Sequence, residues 1–230
     1  MVLSLEQIIQ ICNAKSVIGE NLVNTINLKE TQIHHLLYDS RRLNFTDNTI
    51  FFAFKTADND GHKYIKELYN KGIRFFICQQ IPDSNKFPNA VFLLVNNTLD
   101  ALQQIAKYKR ENFKKEVIAI TGSNGKTIVK EWIVQLTQEN KKICYSPRSY
   151  NSQIGVALSL WQLNTNYDLG LFEAGISKPN EMTRLQEMIQ PTIGIFTNIG
   201  SAHQINFSSL EEKIEEKLKL FTSCHTLICP

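Results

Sequence analysis

The chain reads as an α/β protein in two parts: a small α/β domain over residues 1–113, then a doubly wound parallel-sheet domain over 114–230. Three observations predict this. Apolar runs of strand character alternate with helix-period segments along most of the sequence, the pattern of a sheet covered by helices. The stretch Glu111-Asn112-Phe113-Lys114-Lys115-Glu116 is charged and lacks a strong apolar period, so it marks a boundary. Beyond it, a β-branched run, Val117 to Thr121, leads through two glycines into a helical pattern that starts near Thr127.

In the first domain, Ser4 and Gln7 stand at capping-box spacing and open a short amphipathic helix. Ile33 to Tyr38 and Thr49 to Phe54 read as strands, joined by Asp39-Ser40-Arg41-Arg42 and a polar turn through Asp47-Asn48. Asp58-Asn59-Asp60-Gly61 is a second turn, and His62 to Lys71 reads as a helix stopped by Gly72. Ile73 to Cys78 and Val91 to Val95 are strands, and Leu99 to Arg110 is a helix.

In the second domain the helix after the loop carries apolar residues at 128, 129, 132, 133 and 136, expected to form one buried face. Strands are expected at Lys142 to Ser146, Asp168 to Phe172, Thr192 to Thr197 and His225 to Cys229. Helices are expected at Asn151 to Gln162, Asn180 to Ile189 and Ser208 to Phe221, the last with Ser208 and Glu211 at capping-box spacing. Strand and helix alternate throughout, which argues parallel strands. The sheet is expected to be incomplete, since its last strand begins just before Pro230.

Chemistry concentrates at the loop Gly122-Ser123-Asn124-Gly125-Lys126-Thr127. Strand, glycine loop and helix are the context of a phosphate-binding loop, in which backbone N–H groups and a helix N-terminus face an anion. Lys126 then falls on the terminal phosphates and the Thr127 hydroxyl on magnesium. The bland alternative is a glycine turn with a solvated lysine. The short motif arises by accident in about one chain in a hundred of this length, and the flanking strand and helix make that reading rarer still. Ligands of such sheets bind at the carboxyl ends of strands. Glu173, following Leu169-Gly170-Leu171-Phe172, is placed to give magnesium an oxygen ligand, unless it is a solvated loop carboxylate. His203 falls in a loop at the same end and is either a site residue or a surface histidine.

Composition excludes several classes. With 43% hydrophobic and 20% charged residues, the 230-residue chain is ordinary for a globular protein with a packed core. A net charge of +3 without a lysine or arginine run gives no case for nucleic acid. The five cysteines, Cys12, Cys78, Cys144, Cys224 and Cys229, have no C-x-x-C spacing and read as buried thiols in a reducing compartment. Met1 to Gln10 lacks the basic and apolar regions of a signal peptide, and no apolar run approaches membrane length, so no membrane partner and a cytoplasmic place are expected.

Four motifs in register point further: Gly122 to Thr127, Tyr150-Asn151-Ser152-Gln153-Ile154-Gly155-Val156, Phe172-Glu173-Ala174-Gly175, and Thr197-Asn198-Ile199-Gly200-Ser201-Ala202-His203. In order and spacing they resemble the Mur ligases, ATP-dependent amide-forming enzymes of peptidoglycan synthesis. Asp39-Ser40-Arg41 and Asp60-Gly61-His62 resemble the UDP-binding domain of the members that join D-alanyl-D-alanine to a UDP-N-acetylmuramoyl tripeptide. Ser146 to Gln153 is similar to the variety fused to a C-terminal alanine racemase. The resemblance covers essentially the whole chain.

The resemblance implies ATP and Mg2+ as cofactors. Residues Gly122, Ser123, Asn124, Gly125, Lys126 and Thr127 would hold ATP, and Ser40, Arg41, Asn151 and Ser152 the UDP-sugar. Thr127, Glu173 and His203 would be magnesium ligands. Lys126, Glu173, His203 and Lys217 would be the catalytic set, with Lys217 carrying a carbamate that binds metal; its alternative is a solvated helix lysine. Ser152 stands where many relatives have asparagine and Ala157 where proline is common, which bears on the sugar contacts. The resemblance also implies that the rest of the central domain and an amine-bearing ligase domain lie outside these residues, so that the 230 residues alone are expected to be inactive. Other readings are a related ligase that adds the third residue of the peptide, a folylpolyglutamate synthase, or a non-catalytic nucleotide-sugar-binding remnant. The Asp39-Ser40-Arg41 pattern argues against the folate enzyme.

Overall fold

The computed structural model describes residues 2–200 and 206–230, and forms two compact units, Met1–Ile105 and Ala106–Pro230. The division falls earlier than the expected 113/114 boundary, inside a helix. The physical reason is the last turn of that helix. Buried Arg110 donates to the carbonyls of Ile189, Phe113 and Gln190, each at 2.7 Å, and so belongs to the second unit.

The first unit holds β1 (Leu3–Ser4), α1 (Leu5–Ile11), β2 (Lys15–Ile18), β3 (Gln32–Ile33), β4 (His35–Leu37), β5 (Thr49–Phe52), α2 (Ile65–Asn70), β6 (Phe75–Cys78), β7 (Val91–Leu94) and α3 (Thr98–Glu111), which crosses into the second unit. Its main sheet runs β2-β7-β6-β5-β4, parallel except for β2, which pairs antiparallel with β7. β1 pairs antiparallel with β3. The expected capping box is present: the Gln7 N–H donates to Ser4 Oγ, and the Ser4 N–H to Gln7 Oε1. Two expectations are corrected. The strand expected over 33–38 breaks at His34 into β3 and β4, because β3 leaves the main sheet to pair with β1. The helix expected from His62 begins as a 3-10 turn, Gly61–Tyr64, and becomes α-helical at Ile65. Phe51, Phe76, Phe92 and Leu68 form the centre of the core.

The second unit holds β8 (Val117–Thr121), α4 (Lys126–Thr137), β9 (Ile143–Tyr145), α5 (Gln153–Trp161), β10 (Leu169–Glu173), α6 (Glu181–Ile189), β11 (Ile193–Phe196), α7 (Leu210–Leu218) and β12 (Thr226–Ile228). All pairings are parallel, in the order β12-β11-β8-β10-β9. The chain steps from β8 outward to β9, returns to β10, then crosses to β11 and β12. β8 is therefore the strand at which the winding reverses, where a doubly wound sheet opens its crevice.

Three further expectations change. Only Val129, Ile133 and Val134 of α4 pack onto Ile118, Ile120 and Leu171, while Ile128, Trp132 and Leu136 stand outward, Trp132 with 61% of its surface exposed. The inward row is shared with fully buried Lys130, so the apolar stripe is split between two faces. Helix α7 is capped by Ser209, whose Oγ accepts from the Glu212 N–H, one residue later than the expected Ser208–Glu211 pair. Glu212 also accepts from the Ser208 N–H and hydroxyl, which fixes this register. Cys12, Cys78 and Cys144 are buried thiols, but Cys224 is half-buried and Cys229 exposed, since the last strand lies at the sheet edge.

Candidate active site

The loop Gly122 to Thr127 joins the carboxyl end of β8 to α4 and needs glycine at two points. Gly122 has φ of +145° and Gly125 φ of +81°, both where side chains are strained. Gly125 caps α4 without a side-chain acceptor, so the first-turn N–H groups stay available to an anion. The loop's earlier donors are committed elsewhere. The Ser123 N–H donates to Asn198 O and the Asn124 N–H to Asn198 Oδ1, each at 2.9 Å. This departs from the expectation that successive loop N–H groups all face the anion. The Thr197 hydroxyl donates to Asn124 O at 2.6 Å, and Ser123 Oγ accepts from the Gly200 N–H at 2.9 Å. The segment after β11 is thus a prop under the loop.

Cations gather around this loop. Lys126 Nζ donates to Gly122 O at 2.9 Å and to Ser123 O at 3.3 Å, and Lys217 Nζ donates to the same Gly122 O at 3.2 Å. Lys213 Nζ donates to Gly200 O. Lys213 is 1% exposed and Lys217 3%, so Lys217 is no solvated helix lysine. Burial holds the Lys126 ammonium below its ordinary range, against the pull of Glu173. Lys217 is lowered to about 8, by burial first and then by the ammonium groups of Lys126 and Lys213.

Glu173, at the end of β10, is fully buried and no solvated loop carboxylate. Its Oε2 accepts from the Thr127 hydroxyl at 2.9 Å, and Thr127 Oγ1 lies 3.2 Å from Ser149 Oγ. Oε1 takes no hydrogen bond and lies 3.1 Å from Lys130 Nζ. A hydroxyl pair beside one carboxylate is an oxygen donor set of the kind magnesium takes when phosphates complete its shell. Among the described residues no cluster of three or more His, Cys, Asp or Glu forms a metal site without such help.

The motif after β9 serves the same end of the sheet. Asn151 packs its side chain against Gly175, whose N–H donates to Asn151 O at 2.8 Å, while Ser152 caps α5 by accepting from the Gly155 N–H. His203 lies outside the described residues. Ser40 and Arg41 belong to the first unit, on a 3-10 turn after β4, capped by Asp39. They line a cavity of about 590 Å³ with Asp39, Phe54, Asn59 and Tyr64. Arg41 binds Asp39 through Nε at 2.9 Å and Nη2 at 2.7 Å, and these bonds hold the Asp39 carboxyl down at about 2. Sequence reasoning missed Lys130, Lys213 and Ser149. For Lys130 a signal existed, since it is one turn on from Lys126 in the row that Val134 continues inward.

Comparison with known proteins decides what this loop, prop and carboxylate belong to: residues 120–229 match the Mur ligase middle domain. The chain carries a Mur ligase middle domain. Similarity to Mur ligases extends beyond that domain. The UDP-N-acetylmuramoyl-tripeptide–D-alanyl-D-alanine ligase of Rickettsia prowazekii is 34% identical over 207 residues, 89% of this chain and 43% of that protein. The ligase of the same name from Haemophilus influenzae is 30% identical over 223 residues, 95% of this chain and 46% of that protein. MurF from Acinetobacter baumannii has the same fold, with a TM-score of 0.87 at 24% identity, over 100% of this chain and 49% of its own. MurF from Thermotoga maritima, solved in complex with ADP, gives 0.74 at 26% identity over 86% of this chain and 45% of its own. The chain spans about half the length of the curated Mur ligases it matches. Among the described residues no helix is long and apolar enough to cross a membrane.

Proposed function

We propose that the chain serves the reaction for which its relatives are named, the ATP-dependent joining of D-alanyl-D-alanine to a UDP-N-acetylmuramoyl tripeptide. The observation that carries this reading is the Thr127–Glu173 pair, a half-buried hydroxyl on a fully buried carboxylate at the mouths of adjacent strands β8 and β10, beside lysines whose hydrogen bonds go to loop carbonyls. In the reaction the γ-phosphate of ATP passes to the free carboxylate of the tripeptide. The amine of D-alanyl-D-alanine then attacks the acyl phosphate, and an amide, ADP and phosphate result.

The difficulty of that chemistry is two anions held face to face. Lys126 and the opening N–H groups of α4 receive the nucleotide phosphates, and Lys213 fixes the Gly200 carbonyl beside them. Thr127 and Glu173 would hold magnesium, with His203 and a carbamylated Lys217 as its further ligands. Magnesium, when bound, supplies charge neutralisation between the phosphate and the carboxylate. A lysine lowered to about 8 keeps a larger share of neutral amine than an ordinary one, and the neutral amine is the form that takes up carbon dioxide. Ser40 and Arg41 would hold the uridine diphosphate in the first unit, with Asn151 and Ser152 facing the sugar-peptide side of the second.

The test is a chimera in which these 230 residues replace the matching part of the Rickettsia prowazekii ligase. With ATP, magnesium and UDP-N-acetylmuramoyl tripeptide, the expected product is the pentapeptide from D-alanyl-D-alanine, absent in Lys126→Ala. Product with 2,6-diaminopimelate on a dipeptide acceptor instead would assign the chain to the third-residue step.

A further inference from the structure

Lys130 has no part in the reading above, yet it is the most deeply placed cation in the second unit. It projects from the first turns of α4, between apolar Val129, Ile133 and Val134, and has 0% exposure. An ammonium buried among aliphatic side chains is costly unless it is paired and hydrogen-bonded. Here it donates to Ser146 O at 2.8 Å and to Arg148 O at 2.5 Å. It also lies 3.0 Å from Glu131 Oε1 and 3.1 Å from Glu173 Oε1. These four hydrogen bonds and ion pairs join helix α4, the loop after β9 and the end of β10, and the ammonium also lies 5.9 Å from the centre of the Tyr145 ring.

We propose that Lys130 is a positioning residue of the magnesium–nucleotide site, holding the Glu173 carboxylate so that Oε2 faces the Thr127 hydroxyl. The proposal rests on the reading of Glu173 as a metal-facing carboxylate. Oε1 of Glu173 is buried without a hydrogen bond, so the Lys130 contact is what offsets its burial on that side. The other carboxylate oxygen is thereby left for Thr127. The backbone carbonyls that Lys130 holds belong to a loop with Arg148 at φ of +52°, a conformation that needs outside support. That loop delivers Ser149 Oγ to Thr127, and the Ser146 hydroxyl accepts from the Glu173 N–H at 3.2 Å. One side chain therefore sets both oxygen donors on either side of Thr127. A residue needed only to fill space would be apolar, as Val129, Ile133 and Val134 around it are.

The experiment measures binding of a fluorescent ADP analogue to the 230-residue chain with and without magnesium, and takes the ratio of the two affinities. Lys130→Gln is expected to cut that ratio about tenfold, as loss of a residue supporting a metal ligand does, while metal-free binding stays. Lys130→Arg, which keeps a cation there, is expected to recover most of it. A folded Lys130→Gln protein with the wild-type ratio overturns the proposal. If the glutamine variant does not fold, Lys130→Arg decides: metal-free and magnesium-dependent binding lost together would make Lys130 a packing residue. Glu173→Gln is the control on the underlying reading. A wild-type ratio in that variant removes the metal role of Glu173 and the proposal with it, whereas a reduced ratio there beside an unaffected Lys130→Gln removes the proposal alone.

Discussion

Replacing Gly122 with alanine should damage the second unit far more than the same change at Gly125. The two glycines share one motif, but their surroundings differ. At Gly122 a Cβ would overlap Thr197 Oγ1 and come within 3.0 Å of Asn198 N and O, with φ at +145°. At Gly125 the nearest atom is Thr197 Cβ at 3.9 Å, with φ at +81°. The Gly122→Ala cost has three parts: about 1–3 kcal/mol of backbone strain, about 1 kcal/mol for the Thr197 hydrogen bond displaced, and about 1–3 kcal/mol of overpacking. The sum is about 3–7 kcal/mol, against about 1–2 kcal/mol of left-handed strain for Gly125→Ala. Both tryptophans, Trp132 and Trp161, lie in the second unit, so urea unfolding followed by tryptophan fluorescence reports on that unit alone. At a urea slope of about 2 kcal/mol per molar the two midpoints should differ by about 1–2.5 M. Equal midpoints would show that Thr197 does not press on the loop as described.

Three more outcomes are expected. Incubation with carbon-13-labelled bicarbonate should give a carbamate resonance by NMR that is lost in Lys217→Ala; a signal unchanged by that substitution would place the adduct elsewhere. In the absence of bicarbonate, the urea midpoint of the second unit should rise relative to that of Lys217→Met as pH goes from about 8 towards 10.5: Lys217 is lowered in the fold, so in that window its side chain in the unfolded chain binds the extra proton and raising pH favours the folded state. Taking the difference cancels the raised thiols of Cys144 and Cys224, which work the opposite way, and the lowered Lys109. A difference between the two proteins that does not change with pH would contradict the assignment. Arg41→Ala should weaken UDP binding about tenfold or more, since the Asp39–Arg41 pair borders the cavity of the first unit, and should leave the tryptophan-reported transition unchanged. UDP titration calorimetry on the variant checks the first part, and undiminished affinity would move the UDP site away from this turn.

The β8–loop–α4 unit was legible because each link carries its own signal: β-branched residues for the strand, glycines for the turn, a 3.6 period for the helix. The place of Glu173 at the end of β10 was legible because an apolar run leads directly into it; its full burial was not, since that comes from Lys130 and Thr127 on α4. Elements that depend on distant partners were harder to read. β2, with only Lys15-Ser16-Val17-Ile18 and half-exposed throughout, exists because β7 offers it an edge. The α7 cap could fall on Ser208 or Ser209, since glutamates stand three residues after both, and only the chain's approach selects Ser209. Lys130 reads in sequence as one of many lysines. Its place in the inward row of α4 is the one local hint; its burial is a consequence of where the carbonyls of Ser146 and Arg148 arrive, which the local sequence does not show. The same holds for Ser123 and Asn124, whose N–H groups are claimed by Asn198 just past the end of the adjacent strand β11.

Titration of the chain with ADP in the presence of magnesium tests most directly whether the loop after β8 is a nucleotide phosphate site. Saturable binding is expected, weakened at least tenfold by Lys126→Ala if the ammonium beside Gly122 O is, as proposed, the group that meets the phosphates. The Lys126→Ala protein should keep its tryptophan-reported stability and its UDP affinity. Binding of ADP with the same affinity in wild type and Lys126→Ala would contradict the assignment.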